Sequence, residues 1–383
     1  MVKFLFLILL LCAETANSQT LSDVDWKTAT PGQIQKLIDD GTSVTDDLLI
    51  SAVIFNSSPA VIEALIKAKA DVNARTYDGV TPLILAAKFN SNPAVVEALI
   101  KAQADVNARD KEGGTPLMAA SRHNSNPAVV EALIKAQADV NARDKYGNTP
   151  LMFAAMGNSN AAAVIEALIK AKADVNARKE NGDTPLLFAA RYNSNPAVVE
   201  ALIKAQADVN ARDKEGRTPL ILVTRYNSDL NPATIEALIK AKADVNARDK
   251  YGNTPLIFAA MFKPNPAIVE ALIKAKADVN ARDEEGGGTP LMAAAMNNSN
   301  PAVIETLIKA KADVNARTYD GVTPLMLAAG ANSNPAVIEA LIKAKADVSA
   351  RDKAGKTAFD YAEDNPEIKG TPVYWKLNDL MYK

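Results

Sequence analysis

The sequence predicts an all-α protein, a solenoid of about ten stacked helix-turn-helix repeats joined by hairpin-like loops. The hexapeptide ADVNAR occurs eight times, and a ninth copy reads ADVSAR from Ala346. The tripeptide Thr-Pro-Leu also occurs eight times, at intervals of 34 to 36 residues. A period of this length is typical of chains in which each repeat packs only against its neighbours. Apolar residues between these markers recur at helical spacing.

The first helix of each repeat begins at Thr-Pro-Leu. In the copy at residue 81, Thr81 can cap a helix, and Pro82 suits the first turn, where its missing N–H needs no partner. The buried face that follows is formed by Leu83, Ala86 and Ala87. We predict that Asn90 ends this helix in a left-handed conformation, which asparagine tolerates.

A second helix follows in the same repeat. Asn92 and Pro93 repeat the capping signal, and Glu97 and Lys101 stand four residues apart in the favourable order for an exposed ion pair. The buried stripe is formed by Val95, Val96, Leu99 and Ile100. The polar stretch ADVNARDKEG comes next and is predicted to be an extended, hairpin-like loop.

The combined pattern D-x-x-G-x-T-P-L, A-A, V-x-x-L-I and A-D-V-N-A resembles the ankyrin repeat, from about residue 31 to about residue 370. The resemblance implies L-shaped repeats, with the short inner helices and the hairpin tips lining a curved, concave groove. In that family the groove is the usual surface for a protein partner.

Two positions depart from the family pattern. The histidine that usually follows Thr-Pro-Leu is replaced throughout by an aliphatic residue or methionine, so we expect apolar packing where the family has polar contacts. Glycine usually precedes Ala-Asp, and here lysine or glutamine occupies that position: Lys69, Gln103, Gln137, Lys172, Gln206, Lys242, Lys276, Lys311 and Lys345. If this position is left-handed, each of these residues costs on the order of 1 kcal/mol. Alternatively, the outer helices end differently here.

The chain divides into four predicted segments: a signal peptide over residues 1–18, a half-repeat cap over 19–46, the repeats over 47–356, and a degenerate repeat with a C-terminal cap over 357–383. Terminal repeats must shield the end of the stack from water. Trp26 and Trp375 both lie in these terminal segments, so we interpret them as cap packing.

The N-terminus predicts export. A lysine at position 3 precedes the apolar run from Phe4 to Cys12, and small residues follow up to Ser18. The run is too short for a transmembrane anchor, which needs about 20 apolar residues. A lipoprotein signal would need a small residue directly before Cys12, and Leu11 is not small. Cleavage near Ser18 would release a secreted or periplasmic protein without its only cysteine, Cys12, and without stable membrane insertion.

Composition and motifs argue against several other functions. The net charge of −2, with both signs interspersed, does not favour nucleic acid. A single histidine, His123, excludes a paired-histidine metal site, and no nucleotide-binding motif is present, so we expect no catalysis and no cofactor. The glycines at 286–288 indicate a hairpin insertion. Asn56 and Asn297 match the glycosylation acceptor sequence, whose use depends on the host cell.

The residues that change between repeats concentrate where the family's groove is expected. Tyrosine and arginine, which dominate interface hot spots, are frequent among them. The predicted partner-binding residues are Tyr77, Lys88, Arg122, His123, Tyr146, Asn148, Met156, Arg191, Tyr192, Arg217, Arg225, Tyr226, Tyr251, Met261, Phe262 and Tyr319. Within this set, Arg122, Arg191, Arg225, Tyr192 and Tyr226 are predicted to form a basic-aromatic strip.

These patterns predict a monomeric, exported scaffold that binds a protein partner through the groove. The alternative is a structural spacer of the cell envelope, in which the stack matters and the groove has no ligand. An enzyme is the third reading, and the absence of a second domain argues against it.

Overall fold

The computed structural model describes residues 24–40, 43–157, 160–227 and 231–381. This part of the chain contains 21 helices and no strand, which confirms the prediction of an all-helical solenoid. The predicted signal peptide lies outside the described residues. The described residues form two compact bodies, a first that ends at Lys179 and a second that begins at Glu180.

We number the helices α1 to α21 in chain order. Ten of them are inner helices: α2 Asp46–Phe55, α4 Pro82–Phe89, α6 Pro116–His123, α8 Pro150–Ala155, α10 Pro185–Tyr192, α12 Pro219–Tyr226, α14 Pro255–Phe262, α16 Pro290–Asn297, α18 Pro324–Ala331 and α20 Ala358–Glu363. The outer helices are α1 Pro31–Asp39, α3 Pro59–Lys67, α5 Pro93–Lys101, α7 Pro127–Lys135, α9 Ala161–Lys170, α11 Pro196–Lys204, α13 Pro232–Lys240, α15 Pro266–Lys274, α17 Pro301–Lys309, α19 Pro335–Lys343 and α21 Pro372–Met381.

Within each body, every inner helix packs against the next inner helix and every outer helix against the next outer helix. Both helices of a repeat begin as predicted. Thr81 Oγ1 accepts a hydrogen bond from the Ile84 backbone N–H at 3.4 Å, and Asn92 Oδ1 accepts one from the Ala94 N–H at 3.1 Å. The side chain after each Thr-Pro-Leu is buried, which supports apolar packing at the family's histidine position: Ile84, Met118, Met152, Leu187, Ile221, Ile257, Met292 and Met326.

The nine outer helices from α3 to α19 end in a left-handed residue, which decides between the two readings of this position. All nine lysines and glutamines before Ala-Asp have φ between 64° and 70°. At the end of α7, the Gln137 N–H donates to Ile134 O at 2.9 Å and the Ala138 N–H donates to Leu133 O at 3.0 Å. These two bonds form a Schellman motif, the helix ending that favours glycine at its left-handed position.

The inner helices end differently from our prediction. Asn90 is extended, with φ −97° and ψ 118°, and not left-handed. Its side chain is buried and donates to Val53 O at 3.0 Å and Asn56 O at 2.8 Å in the preceding repeat. The backbone therefore places this amide between repeats, where it satisfies two buried carbonyls.

Polar links between repeats recur along each body. The Asn73 side chain accepts from the Asp105 N–H at 2.8 Å and donates to Gln103 O at 3.1 Å, and Arg75 Nη1 donates to Arg109 O at 2.8 Å. Equivalent bonds follow in later repeats. In the last copy, Ser349 replaces the asparagine and its Oγ donates to Asp347 in its own loop at 2.7 Å. The linking amide is thus lost in the copy that precedes the C-terminal cap.

The C-terminal cap has the predicted helices, but its aromatic packing differs from the prediction. Tyr374 is buried, with its ring centre 4.7 Å from that of Phe359. Trp375 keeps 56% of its surface exposed and meets Tyr374 edge-on at 5.0 Å. Tyr374, not Trp375, therefore covers the end of the stack, while Trp26 at the other end is half-buried.

Candidate protein-binding surface

We define the tip face as two sets of residues. The first is the hairpin tips, which are the loop residues just before each Thr-Pro-Leu, and the second is the last residues of the inner helices. In the first body the tip face carries Tyr77, which is 89% exposed beneath Lys111, whose Nζ lies 3.6 Å from the ring centre. Tyr146 is 58% exposed, and Arg122 and His123 are exposed at the end of α6. Lys88, Asn148 and Met156 are half-buried. These predicted residues of the first body all lie on its tip face.

Positive charge collects at the inner-helix ends of the first body. Burial, followed by repulsion from Arg122, lowers the pKa of Lys88, and the nearby Asp110 carboxylate opposes this. Partial burial against its neighbours, followed by the charges of Lys88 and Arg122, lowers the pKa of His123 to about 4. His123 is therefore neutral near pH 7, and its imidazole adds no charge to this end of the face.

In the second body, Tyr226 is the centre of the predicted strip. The guanidinium carbons of Arg191, Arg217 and Arg225 lie 5.9, 5.9 and 5.2 Å from its ring centre, and Arg217 Nη1 donates to its hydroxyl at 3.0 Å. Tyr192 stands beside Arg191, whose guanidinium carbon is 5.8 Å from the Tyr192 ring centre. The four strip residues of this body therefore form one cluster. Arg122 belongs to the first body.

Two buried carboxylates, which the sequence reasoning did not include, lie under this cluster. Asp213 accepts from Arg191 at 3.0 Å and from Arg217 Nε at 2.8 Å, and Asp183 lies 3.5 Å from Arg191. The side chains of both acids are 5% exposed or less. Hydrogen bonding to Asp213 and its charge raise the pKa of Arg217 against the opposing effect of burial. Arg191 and Arg217 are thus neutralised within the protein.

The remaining predicted residues of the second body also lie on its tip face. Tyr251 and Tyr319 are tip residues, 38% and 56% exposed, while Phe262 ends α14 and is 47% exposed beside the half-buried Met261. Three further exposed residues lie at inner-helix ends and were not in the predicted set: Phe55 and Phe89 at the position of Phe262, and Met296 at that of Met261. Alignment of the repeats was enough to find them, because each stands at or just before the end of an inner helix.

Other kinds of site are not supported in the described ranges. They contain no cluster of three or more side chains suited to a metal ion. They also contain no helix of the length and apolar character that a membrane span requires. An indentation of about 540 Å³ between α11 and α13 is lined by Glu200, Lys204, Glu236 and Lys240, and a similar one lies between α3 and α5. Both are open grooves between neighbouring outer helices.

Of the two predicted glycosylation acceptors, one is enclosed by the fold. Asn56 is 2% exposed, and its amide donates to Trp26 O at 2.7 Å and Ala29 O at 2.9 Å. Asn297 is exposed at the end of α16. Only Asn297 is accessible for modification in the folded chain.

Comparison with known proteins agrees with this geometry. A family model described as ankyrin repeats (3 copies) matches residues 48–144, 124–213, 188–283, 259–352 and 291–368. A search of curated proteins gives no match. Ankyrin repeats generally mediate protein–protein interaction and are typical of non-enzymatic scaffolds. Because the matched residues run from 48 to 368 and cover most of the 383-residue sequence, the chain belongs to the ankyrin repeat family.

Proposed function

We propose that this protein is an exported, non-catalytic scaffold that binds a protein partner through its tip face. One observation carries the proposal. Of the eleven exposed large apolar side chains among the described residues, four are at hairpin tips and six are at inner-helix ends, which leaves only Trp375 elsewhere. The ten are Tyr77, Tyr146, Tyr251, Tyr319, Phe55, Phe89, Tyr192, Tyr226, Phe262 and Met296.

This distribution is not what drift of surface residues would produce. The outer helices of the repeats present an equally repeated solvent face, and among the described residues it carries none of these large apolar side chains. Exposed aromatic residues that are confined to one face mark interaction surfaces, and tyrosine and arginine contribute strongly to protein interfaces. The described tip face therefore has the chemistry of a protein interface.

Export is part of the proposal and rests on the N-terminal sequence. The positive residue, short apolar run and small residues before position 19 match a secretory signal. On this proposal the mature chain is secreted or periplasmic and begins near residue 19. Mass spectrometry of the exported protein should find that N-terminus, whereas an intact N-terminus in the cytosolic fraction would contradict export.

The spacer hypothesis remains the second candidate because of the inter-repeat bonds. Buried asparagines such as Asn124 link repeats by donating to two carbonyls of the preceding repeat, Ala87 O and Asn90 O, each at 2.8 Å. Bonds of this kind stabilise the stack whether or not a partner binds. A spacer needs these links and does not need the exposed tyrosines.

The two functions are separated by a matched pair of variants. The tip variant carries Tyr77→Ser, Tyr192→Ser and Phe262→Ser, and the control carries Glu97→Ser, Glu200→Ser and Glu270→Ser on exposed outer-helix positions. Arg191 is left unchanged because it pairs with two buried carboxylates.

Each protein is used to capture partners from the exported fraction of the source cell, after circular dichroism has shown equal helix content. We expect the wild type and the control to retain the same partner and the tip variant to lose it. If all three proteins capture the same set, the tip face is not the binding surface and the spacer function is favoured.

A further inference from the structure

A composite surface occurs twice in this chain, once in each body. Residues 144–156 read DKYGNTPLMFAAM and residues 249–261 read DKYGNTPLIFAAM, so the two stretches differ at one position. In both places the preceding repeat carries DKEG at its tip, from Asp110 and Asp213, and has an arginine one residue before the end of its inner helix, Arg122 or Arg225. No other repeat has this combination.

Both copies form the same contacts at the hairpin tips. In the first, Lys145 forms an ion pair with Glu112, and its N–H donates to Glu112 O at 2.9 Å. In the second, Lys250 forms an ion pair with Glu215, and its N–H donates to Glu215 O at 2.9 Å.

Each tip tyrosine lies beside the lysine of its own copy, and in the first copy the Tyr146 hydroxyl also donates to Glu112 Oε2 at 2.7 Å. The lysine ammonium lies 5.0 Å from the ring centre of Tyr146 in the first copy and 4.9 Å from that of Tyr251 in the second. Hydrogen bonding to the glutamate is the main cause that raises the pKa of each lysine. The tip acids Glu112 and Glu215 are therefore neutralised within the protein.

Each tip aspartate accepts hydrogen bonds from the asparagine four residues later in the same loop. Asp144 accepts from the Asn148 N–H at 2.7 Å and from its side-chain amide at 2.8 Å. Asp249 accepts from the Asn253 N–H at 2.9 Å and from its amide at 3.5 Å. At the equivalent place one repeat before the second copy, Arg217 stands where the asparagine would be, and Asp213 binds arginine instead.

In both copies the arginine of the preceding repeat lies against a phenylalanine instead of the aspartate that the asparagine binds. The Arg122 guanidinium carbon lies 5.5 Å from the Phe153 ring centre, and that of Arg225 lies 4.9 Å from the Phe258 ring centre. Within the described ranges neither arginine forms an ion pair. A half-buried methionine, Met156 or Met261, follows three residues after each phenylalanine.

We infer that the chain carries two copies of one site, each recognising an acidic peptide segment that places a carboxylate beside an apolar side chain. The inference rests on the proposed function and specifies the chemistry of the partner. Each site offers one arginine that forms no ion pair within the described ranges and lies over an aromatic ring; Arg122 is exposed and Arg225 is half-buried. Arginine binds carboxylates through paired N–H groups, and this is the charge that the surrounding protein leaves unmatched.

The apolar part of the ligand would contact the tyrosine and methionine of the same copy. Ion pairs at an exposed rim add little affinity, so each copy binds weakly. A partner with two such segments gains avidity whenever its linker allows both to bind. Two equal, weak sites thus predict a partner in which the acidic-apolar segment is repeated.

The two sites can be observed separately because each contains a methionine. The full mature chain is labelled with carbon-13 at its methionine methyl groups, and Met156→Leu and Met261→Leu variants assign the two signals. The probe is a short synthetic peptide in which aspartate and leucine alternate. The control peptide has lysine in place of every aspartate.

We expect the acidic peptide to shift the signals of Met156 and Met261 with similar saturation curves, and the lysine peptide to shift neither. Arg122→Gln should weaken binding at Met156 several-fold and leave the saturation curve at Met261 unchanged, and Arg225→Gln should do the reverse. Shifts at neither methionine, shifts at only one, or equal shifts with the lysine peptide would overturn the inference. If partner capture still depends on the tip face in that case, the proposed function stands without it.

Discussion

The left-handed residues at the ends of the outer helices make a strong stability prediction. Replacing Gln137 with glycine should stabilise the protein. Its φ is 64°, in the region where a Cβ atom crowds the following carbonyl oxygen. The Gln137 side chain is exposed and forms none of the described bonds: its backbone N–H donates to Ile134 O in the same repeat, and its backbone O accepts from the Asn107 amide of the preceding repeat. The substitution therefore removes strain and loses almost no packing.

The magnitude follows from two opposing effects. An L-residue in the left-handed region costs about 1–2 kcal/mol relative to its normal conformation. Glycine loses more backbone freedom on folding, which offsets about 0.5–1 kcal/mol of the gain. The difference of the two ranges is a rise of about 0–1.5 kcal/mol in the free energy of unfolding for Gln137→Gly, centred on about 0.75 kcal/mol.

Urea unfolding followed by circular dichroism measures this change, and Gln137→Ala is the matched control. Alanine removes the same polar side chain but keeps Cβ, so the strain persists and the urea midpoint should not rise as it does with glycine. A lower midpoint for Gln137→Gly, or an equal gain for Gln137→Ala, would refute the reasoning. The slope of the free energy against urea must stay constant, because long repeat arrays can unfold in more than one step.

Two other residues give predictions that the same unfolding assay checks. Lys263 is 2% exposed at a position where most repeats have asparagine, and its Nζ donates to Asn227 O in the preceding repeat. Lys263→Asn replaces this buried amino group with the amide that the other repeats use and should raise the free energy of unfolding by about 1–2 kcal/mol. A lower value would show that the lysine is the better link between these two repeats. The folded pKa of His123, about 4, lies below its ordinary 6.5, so protonation favours unfolding, and stability is lost as the pH falls from 6.5 towards 4. His123→Gln should make that loss shallower, and an unchanged pH profile would contradict the lowered pKa.

Most of the helical framework could be predicted because the same short-range contacts recur in every repeat. Thr81 and Asn92 cap helices as their sequence context indicates, since a cap depends only on residues two or three positions away. The conformation of Asn90 was predicted wrongly, because its side chain serves carbonyls more than thirty residues earlier in the chain. A local preference for the left-handed region could not reveal that link.

For the tip face, too, the sequence predicted the positions of the residues but not their contacts. Comparison of repeats was sufficient to place the tyrosines and arginines at the tips and helix ends, where the structure has them. It could not distinguish Arg191, which is neutralised by Asp183 and Asp213, from Arg122, which covers Phe153. At Asp213 both Arg191 and Arg217 bind the carboxylate, whereas at Asp144 the side chain that binds is Asn148.

By itself, the sequence determined the repeat, its helices and its membership of the ankyrin family, because these depend on short-range spacing that recurs along the chain. Only the tertiary structure decided which residues strain the backbone, which asparagines link repeats and which charges stay available to a partner. Each of these depends on contacts between neighbouring repeats, in which the energy of one side chain is set by a residue about one period away.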